Sequence, residues 1–327
     1  MKNVGTYLLL TLLVVAAVFP WLLADPTAVS IGVFTLLFVS AATAWNIFSG
    51  YTGYMSLGHG VFFGVGAYTL ALLCNDWHIQ GGYLPFLLLP LGGLVACLFA
   101  LPIGWVALHT RRHTFVVITL STLFLFQLLA YNLPTITYGS RGLLLPFPSW
   151  GGDFFNIPFY YVSLLLALLT ITVSWWIRHS KYGLSLLAIR DDEGRALGLG
   201  VRSGVYKLAA FVVAAFFVGM VGGMVVYFEG VIYPPVGFDP RFDLSVALMS
   251  FLGGLGTLAG PIVGALLLEP LQQYLILQFG TIGLDLILFG MLLLLVLLLL
   301  PRGIVPALRR IWEQRLPLRW KREGAKL

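Results

Sequence analysis

The sequence predicts an all-α polytopic membrane protein with about ten transmembrane helices (eight to ten), some short or broken, and a charged helix on the cytoplasmic surface. Hydrophobic residues make up 59% of the 327 residues and charged residues only 10%. The mean hydropathy is +0.95. A soluble domain cannot cover its surface with so few polar groups, and apolar runs of about 20 residues are long enough to cross a bilayer.

Seven apolar stretches follow one another from the N-terminus. They cover 6–24, 28–49, 57–74, 84–108, 114–131, 158–177 and 208–228. We interpret the first as a retained helix rather than a cleaved signal peptide, because the run is longer than a typical signal core and no clear A-x-A site follows it. Each of the seven predicts one transmembrane helix.

The pattern changes after residue 243. The apolar run 244–252 is cut short by a glycine-rich segment at 253–260 and predicts a short or broken eighth helix. A ninth span is predicted at 261–279 and a tenth at 284–300. The predicted organisation is one transmembrane domain over 1–300, which includes the charged loop 178–207, and a basic cytoplasmic tail at 301–327.

Basic residues are distributed unevenly over the two sides of this ten-span topology. If the N-terminus is cytoplasmic, all 19 Lys and Arg residues except Arg141 and Arg241 lie in cytoplasmic segments. This bias predicts a multi-pass protein with both termini in the cytoplasm. It also explains the net charge of +6 without any nucleic-acid partner. The basic tail is interpreted as a topology anchor, and contact with anionic lipid headgroups is the alternative.

The charged loop 178–207 predicts a short surface helix between two spans. Ser180 or Ser185 is a suitable N-cap, and the glycines at 198 and 200 are suitable stops. From local sequence the helix either docks on a soluble partner or is a solvated loop helix without one. The predicted partner contacts are Leu187, Ile189, Arg190, Asp191, Asp192, Glu193 and Arg195.

Two glycine clusters, at 50–66 and 253–264, interrupt the apolar pattern. In membranes, glycines permit close helix packing or interrupt a helix where the backbone lines a cavity, and both interpretations remain open. The predicted translocation-path residues near these clusters are Asn46, Ser49, Thr52, Ser56, His59, Gly253 and Gly256. For His59, a packing role and a proton-relay role are the alternatives.

Sequence motifs for catalysis or cofactor binding are absent. No phosphate-binding G-x-x-x-x-G-K-[ST] pattern occurs, so the chain is not expected to bind or hydrolyse ATP. No clustered catalytic set or metal-ligand spacing is present, and Cys74 and Cys97 are interpreted as packing residues. We therefore expect no catalytic residue, no metal and no cofactor.

Three stretches together resemble a known family. They are NIFSGYTGYMSLGHGVFFGVGAY at 46–68, YG through AIRDDE to RALG at 182–198, and GGLGTLAGPIVGA at 253–265. Their order and spacing resemble the branched-chain amino acid ABC permease family, in its M-type subunit, over roughly 30–302.

The resemblance implies a permease of the bacterial inner membrane that forms a translocation path for branched-chain or hydrophobic amino acids with a homologous H-type permease. Two ABC ATPase subunits and a periplasmic binding protein are the further implied partners. The charged loop then corresponds to the coupling helix that docks on the ATPase, and the external loops 132–156 and 229–243 would meet the binding protein.

Other functions are weighed against this interpretation. Urea and amide ABC permeases are close relatives of the same family. An ion-coupled secondary carrier would need paired acids inside the membrane and no docking helix, and a polytopic membrane enzyme would need a clustered catalytic set. Adjacent genes for an ATPase and a binding protein would favour the importer.

Overall fold

The computed structural model describes residues 14–22, 25–148, 150–279, 284, 287, 290, 291, 294 and 303–315. Residues 14–22 are helical. The further helices are α1 (Pro26–Trp45), α2 (His59–Asp76), α3 (Leu84–Ala107), α4 (Arg112–Asn132), α5 (Pro134–Thr137), α6 (Asn156–His179), α7 (Lys181–Asp191), α8 (Glu193–Gly198), α9 (Ser203–Glu229), α10 (Pro234–Gly237), α11 (Pro240–Gly253), α12 (Ala259–Phe279) and α13 (Ile304–Arg315). Shorter elements are a π-helical turn (Asn46–Gly50), 3-10 turns (Gly139–Arg141, Gly152–Phe154) and strands β1 (Leu143–Leu144) and β2 (Val231–Ile232).

Six helices are long and apolar enough to cross a membrane: α1 with its π-helical turn, α3, α4, α6, α9 and α12. They confirm an all-α polytopic membrane protein. The third predicted span corresponds to the 18-residue α2 and the broken eighth span to the 14-residue α11. Most of the tenth predicted span and just over half of the first lie outside the described residues.

Helix α9 lies at the centre of the bundle and packs against α2 and α3 through glycines. A Cβ atom on Gly66 would overlap the carbonyl oxygen of Gly219, and one on Gly222 would overlap that of Phe63. Small residues let helix backbones approach closely in membranes. The three helices therefore form a tightly packed core around which the other spans are arranged.

A two-stranded ribbon lies at one end of the bundle. Strand β1 pairs antiparallel with β2, with Leu143 opposite Ile232. The ribbon joins the two loops that the charge distribution predicts to be external. Near this end, Asn156 Nδ2 donates a hydrogen bond to the carbonyl oxygen of Pro26 over 2.8 Å, and the Tyr160 hydroxyl donates one to Ala16, also over 2.8 Å.

The charged loop forms two helices rather than one. Ser180 is the N-cap of α7, since its hydroxyl oxygen accepts a hydrogen bond from Gly183 N over 3.2 Å. The backbone becomes extended at Asp192, whose carboxylate accepts a hydrogen bond from Arg195 N over 3.0 Å. Asp192 thus ends α7 and caps α8, because an aspartate that bonds a following amide favours a new helix start.

Candidate functional site

Arg190, near the end of α7, connects the charged loop to both glycine clusters. Its Nη1 atom donates a hydrogen bond to the carbonyl oxygen of Gly50 over 3.0 Å. Gly50 belongs to the π-helical turn after α1, where the regular hydrogen-bond pattern changes. A Cβ atom on Gly256 would overlap the Arg190 guanidinium, and the φ of Gly256 is +74°. Glycine at 256 therefore permits both the positive φ of the turn and the close approach of the Arg190 guanidinium.

Asn46 joins the same two glycine clusters from inside the bundle. Its side-chain oxygen accepts a hydrogen bond from Gly256 N over 2.8 Å, and its Nδ2 atom donates one to the carbonyl oxygen of Thr257 over 3.0 Å. One buried amide thus satisfies the Gly256 N–H and the Thr257 carbonyl in the break between α11 and α12. We call Asn46, Gly50, Arg190 and Gly256 the glycine junction.

Glu193, the first residue of α8, holds the loop at a second point. Its carboxylate accepts hydrogen bonds from Lys207 Nζ and from the Tyr54 hydroxyl, both over 2.6 Å. The Lys207 ammonium also lies 4.2 Å from the centre of the Tyr54 ring, within cation–π distance. We call Tyr54, Glu193 and Lys207 the Glu193 cluster.

The protonation states in this cluster follow from its contacts. Burial alone would raise the pKa of Glu193, but the hydrogen bonds from Lys207, Tyr54 and Ser203 together lower it. Burial raises the pKa of Tyr54 to about 12, and the adjacent Glu193 carboxylate acts in the same direction. At neutral pH the glutamate is therefore ionised and the tyrosine remains a hydrogen-bond donor.

Arg112, at the start of α4, holds the end of α7. Its Nη2 atom donates to the carbonyl oxygens of Ile189 and Arg190, over 3.1 and 3.0 Å. The last carbonyl groups of a helix have no partner within the helix, and a cation near them is favourable. Arg112 thus links the charged loop to α4, in addition to the loop's contacts with the turn after α1 and with α9.

The outward face of α7 and α8 makes no hydrogen bond or ion pair with the membrane helices among the described residues. Asp191, Asp192 and Arg195 are exposed, and Arg195 Nε lies 3.0 Å from Asp192 Oδ2. Leu187 is only partly exposed. Among apolar side chains of α7, α8 and the residue directly after α8, the most exposed are Leu184 (64%), Leu197 (53%) and Leu199 (84%).

Three of the residues predicted to contact a partner instead face their own domain. Ile189 is fully buried in this structure, so it offers no surface to a partner. Arg190 lies in the glycine junction and Glu193 in the Glu193 cluster. Local sequence did not separate the two faces, because both carry charges and leucines.

The predicted path residues other than Asn46 and Gly256 lie at two helix breaks: Ser49, Thr52, Ser56 and His59 at the break between α1 and α2, and Gly253 at the end of α11. Ser49 Oγ accepts a hydrogen bond from Ser56 N over 3.2 Å, and the Thr52 hydroxyl donates to Phe48 O over 2.8 Å. Gly253 packs directly on the carbonyl of Gly260. All of them are buried, and they hold together the backbone breaks in this conformation.

His59 is buried at the first residue of α2. Its ring packs among Phe48, Phe62 and Phe211, with centroid distances of 5.5–6.1 Å. Neither ring nitrogen has a hydrogen-bond partner among the described residues. These contacts favour the packing role over the relay.

Asp243 holds the same helix end and was not selected from the sequence. Its two carboxylate oxygens accept hydrogen bonds from the backbone nitrogens of His59 and Gly60, over 2.9 and 3.0 Å. A carboxylate at a helix N-terminus is favoured by the unpaired amide groups there. Tyr54, Arg112 and Lys207 were also missed, although a lysine at the edge of an apolar span is itself a signal.

Metal binding finds no support in the part of the chain that the structure describes. No group of three or more His, Cys, Asp or Glu side chains there is arranged to hold an ion. The described site is built from helix breaks, hydrogen bonds and an ion pair between Glu193 and Lys207.

Comparison with known proteins identifies the family. The model of the family described as "branched-chain amino acid transport system / permease component" matches residues 27–297. The chain belongs to this permease family. The match, together with the similarity to LivM permease proteins, confirms the M-type resemblance and the predicted role as a permease subunit of an ABC importer.

Relatives of the permease come from several transport systems. LivM is the high-affinity branched-chain amino acid transport system permease protein of Salmonella typhimurium. It is 28% identical over an alignment of 327 positions, which covers 92% of this chain and 75% of LivM. LivH of the same organism is 26% identical over 280 residues, covering 81% and 89%. LsrC, an autoinducer 2 import system permease protein of Yersinia pseudotuberculosis, is 29% identical over 210 residues, covering 57% and 56%. No solved structure matches the chain.

Proposed function

We propose that this permease forms, with a homologous H-type permease, the path of an importer for branched-chain or hydrophobic amino acids in a bacterial inner membrane. Two ABC ATPase subunits would hydrolyse ATP, and a periplasmic binding protein would deliver the substrate. The permease itself contributes no ATPase site. The substrate class comes from the names of relatives such as LivM.

The contact of Arg190 with both glycine clusters carries the coupling part of the proposal. Helices α7 and α8 form the coupling element, and Arg190 extends from it to the π-helical turn after α1 and to the break after α11. A displacement of α7 by the ATPase therefore reaches two interrupted helices without any intermediate element. Such breaks are places where a helix can change between two arrangements.

The ATPase would contact the exposed face of this element. Leu184, Leu197 and Leu199 supply apolar surface, and Asp191, Asp192 and Arg195 surround it with charge. An apolar centre with a charged rim is typical of protein interfaces. In this revised assignment Ile189, Arg190 and Glu193 transmit movement rather than dock.

The positions of the loops support ten spans with both termini in the cytoplasm. The segments proposed as cytoplasmic come together at one end: Arg190 bonds Gly50, and Arg112 bonds the end of α7. Gly303, just before α13, lies against Gly254 near the same end. The ribbon pairs one strand from each of the two loops proposed to meet the binding protein.

A reconstituted importer tests the proposal. Proteoliposomes that contain this permease, its partner permease and the ATPase subunits are supplied with the binding protein and radiolabelled leucine, isoleucine, valine or urea. We expect ATP-dependent uptake of the three amino acids but not of urea, and no ATP hydrolysis by the isolated permease. Uptake driven by an ion gradient without ATP would support a secondary carrier instead.

A further inference from the structure

A cleft lies between α1, α2, α9, α10, α11 and α12. Its volume is about 250 Å³. Pockets for drug-sized ligands have volumes of roughly 300–1,000 Å³, so this cleft suits a smaller metabolite. None of the residues predicted from sequence as lining the path contributes to it.

Phenylalanines form the apolar part of the cleft. Phe34 and Phe38 come from α1, Phe63 from α2 and Phe242 from α11. The Phe242 ring packs against those of Phe63 and Phe38, with centroid distances of 4.6 and 5.8 Å. Such a wall is suited to an aliphatic side chain, because contact between apolar surfaces removes both from water.

Glu269 is a buried acid in the same cleft and lies at the middle of the 21-residue helix α12. Its side chain is 0% exposed. Its Oε1 atom accepts a hydrogen bond from Gln273 Nε2 over 2.9 Å, whereas Oε2 has no partner among the described residues. A buried carboxylate oxygen without a partner inside a membrane-spanning helix is costly and marks a functional position. It is a suitable acceptor for a cationic ligand group.

Arg241 supplies a positive charge to the cleft. Its side chain is exposed and makes no ion pair with any residue that the structure describes. A guanidinium group binds a carboxylate through paired hydrogen bonds. The cleft therefore combines an unpaired acid, an unpaired base and an aromatic wall.

We propose that this cleft recognises the zwitterion of an aliphatic α-amino acid. Glu269 binds the ammonium group, Arg241 binds the carboxylate, and the phenylalanines pack on the side chain. The proposal rests on the proposed import of branched-chain or hydrophobic amino acids and assigns their recognition to residues of this subunit. Because Glu229 and Asp239 also line the cleft, its acids favour ligands that carry an ammonium group.

A ligand comparison tests the role of Glu269. The assembled permease pair with its ATPases is placed in nanodiscs without the binding protein. Affinities are then measured for leucine and for 4-methylpentanoate, which lacks the ammonium group. In the wild type, leucine is expected to bind about tenfold or more tightly than 4-methylpentanoate, as a hydrogen bond to a charged group contributes at least that factor. In Glu269→Gln the two affinities are expected to differ by less than about threefold, since the ammonium loses its counter-charge.

Matched variants separate recognition from a general loss of structure. Asp76→Asn removes an exposed acid at the end of α2, outside the cleft, and is expected to keep the wild-type preference. Glu269→Asp keeps the negative charge and is expected to retain part of the preference for leucine over 4-methylpentanoate. Arg241→Gln is expected to abolish the preference for leucine over leucinamide, which lacks the carboxylate.

An unchanged leucine preference in Glu269→Gln overturns the assignment, as does a wild-type complex that retains no leucine. Failure of the proposed function has a different signature. In that case the complete importer, with its binding protein, takes up no branched-chain amino acid. If the complete importer takes up branched-chain amino acids normally but the wild-type complex binds leucine and 4-methylpentanoate equally well, only the assignment of the cleft is rejected.

Discussion

Arg190 and Glu193 are separated by two residues, yet they hold the charged loop to different parts of the bundle. Arg190 bonds the backbone of the π-helical turn, whereas Glu193 pairs with Lys207 at the start of α9. The first contact joins two helix breaks. The second fixes the loop to the central helix. Their replacement is therefore expected to have different consequences, on transport for Arg190 and on stability for Glu193.

Arg190→Lys is expected to uncouple the importer. Lysine keeps the charge but cannot reproduce the reach and planar geometry of the guanidinium between Gly50 and Gly256. Leucine uptake is expected to fall about tenfold or more, in line with the loss of a charged hydrogen bond, while ATP hydrolysis and ATPase co-purification persist. The measurement is the number of ATP molecules hydrolysed per leucine imported. Arg195→Lys, at a side chain that is 87% exposed, is the control. Equal coupling in the two variants would contradict this role.

Glu193→Gln is expected to lower the stability of the folded permease. The amide leaves the buried Lys207 ammonium without its counter-charge, and such a loss costs roughly 1–3 kcal/mol. A thermal-shift assay in detergent measures the effect, with the exposed Asp191→Asn as a control that is expected to match the wild type. A destabilised Asp191→Asn with an unaffected Glu193→Gln would reverse this assignment.

The same pair predicts a pH dependence. The pKa of Glu193 is lower in the folded state than in the unfolded state. Its contribution to the free energy of unfolding is therefore present above the unfolded-state pKa and is lost as the pH falls through the folded-state pKa. The stabilities of the wild type and Glu193→Gln are therefore expected to differ at neutral pH and to converge in acid.

At the scale of elements, apolar length was enough to predict the long spans. The limits of α3, α4 and α6 lie within two residues of the predicted ones. The glycines after residue 252 likewise predicted the short α11. The division of the charged loop into α7 and α8 was not foreseen, since it depends on Asp192 acting as a cap.

Pairing between distant residues could not be predicted from one sequence. Tyr54 and Glu193 are separated by 139 positions, and Arg190 and Gly50 by 140. No local pattern specifies such partners. The inward face of the loop therefore became apparent only from the packing of Ile189, Arg190 and Glu193 against the bundle.

Replacement of Leu184, Leu197 and Leu199 by serine is expected to weaken binding of the ATPase. Each leucine that becomes buried contributes roughly 1.5–3 kcal/mol, so the triple variant should lose most of the co-purified ATPase while it still inserts in the membrane. Leu144→Ser, at an 80% exposed leucine of the ribbon, is the control. Retention of the ATPase by the triple variant would show that this face does not dock.

At the scale of the whole molecule, the two ends differ in charge and in architecture. The end with α7 and α8 gathers Arg112, Arg190, Arg195 and Lys207, whereas the ribbon end has Arg141 and Arg241 as its nearby basic residues. Basic residues favour the cytoplasmic side. This asymmetry predicts that α8 faces the cytoplasm and the 3-10 turn before β1 faces the outside.

Single cysteines test this orientation in a background with Cys74 and Cys97 replaced by alanine. Gly198→Cys and Ser140→Cys place thiols at exposed positions of the two ends, and a side chain at Gly198 meets no neighbour within 4 Å. An impermeant maleimide added to intact cells, with the outer membrane made permeable, is expected to label Ser140→Cys only. Gly198→Cys should react after the inner membrane is opened. Labelling of Gly198→Cys in intact cells would place the charged loop outside, where an ATPase supplied with cytoplasmic ATP cannot reach it, and the coupling role of α7 and α8 would then be wrong.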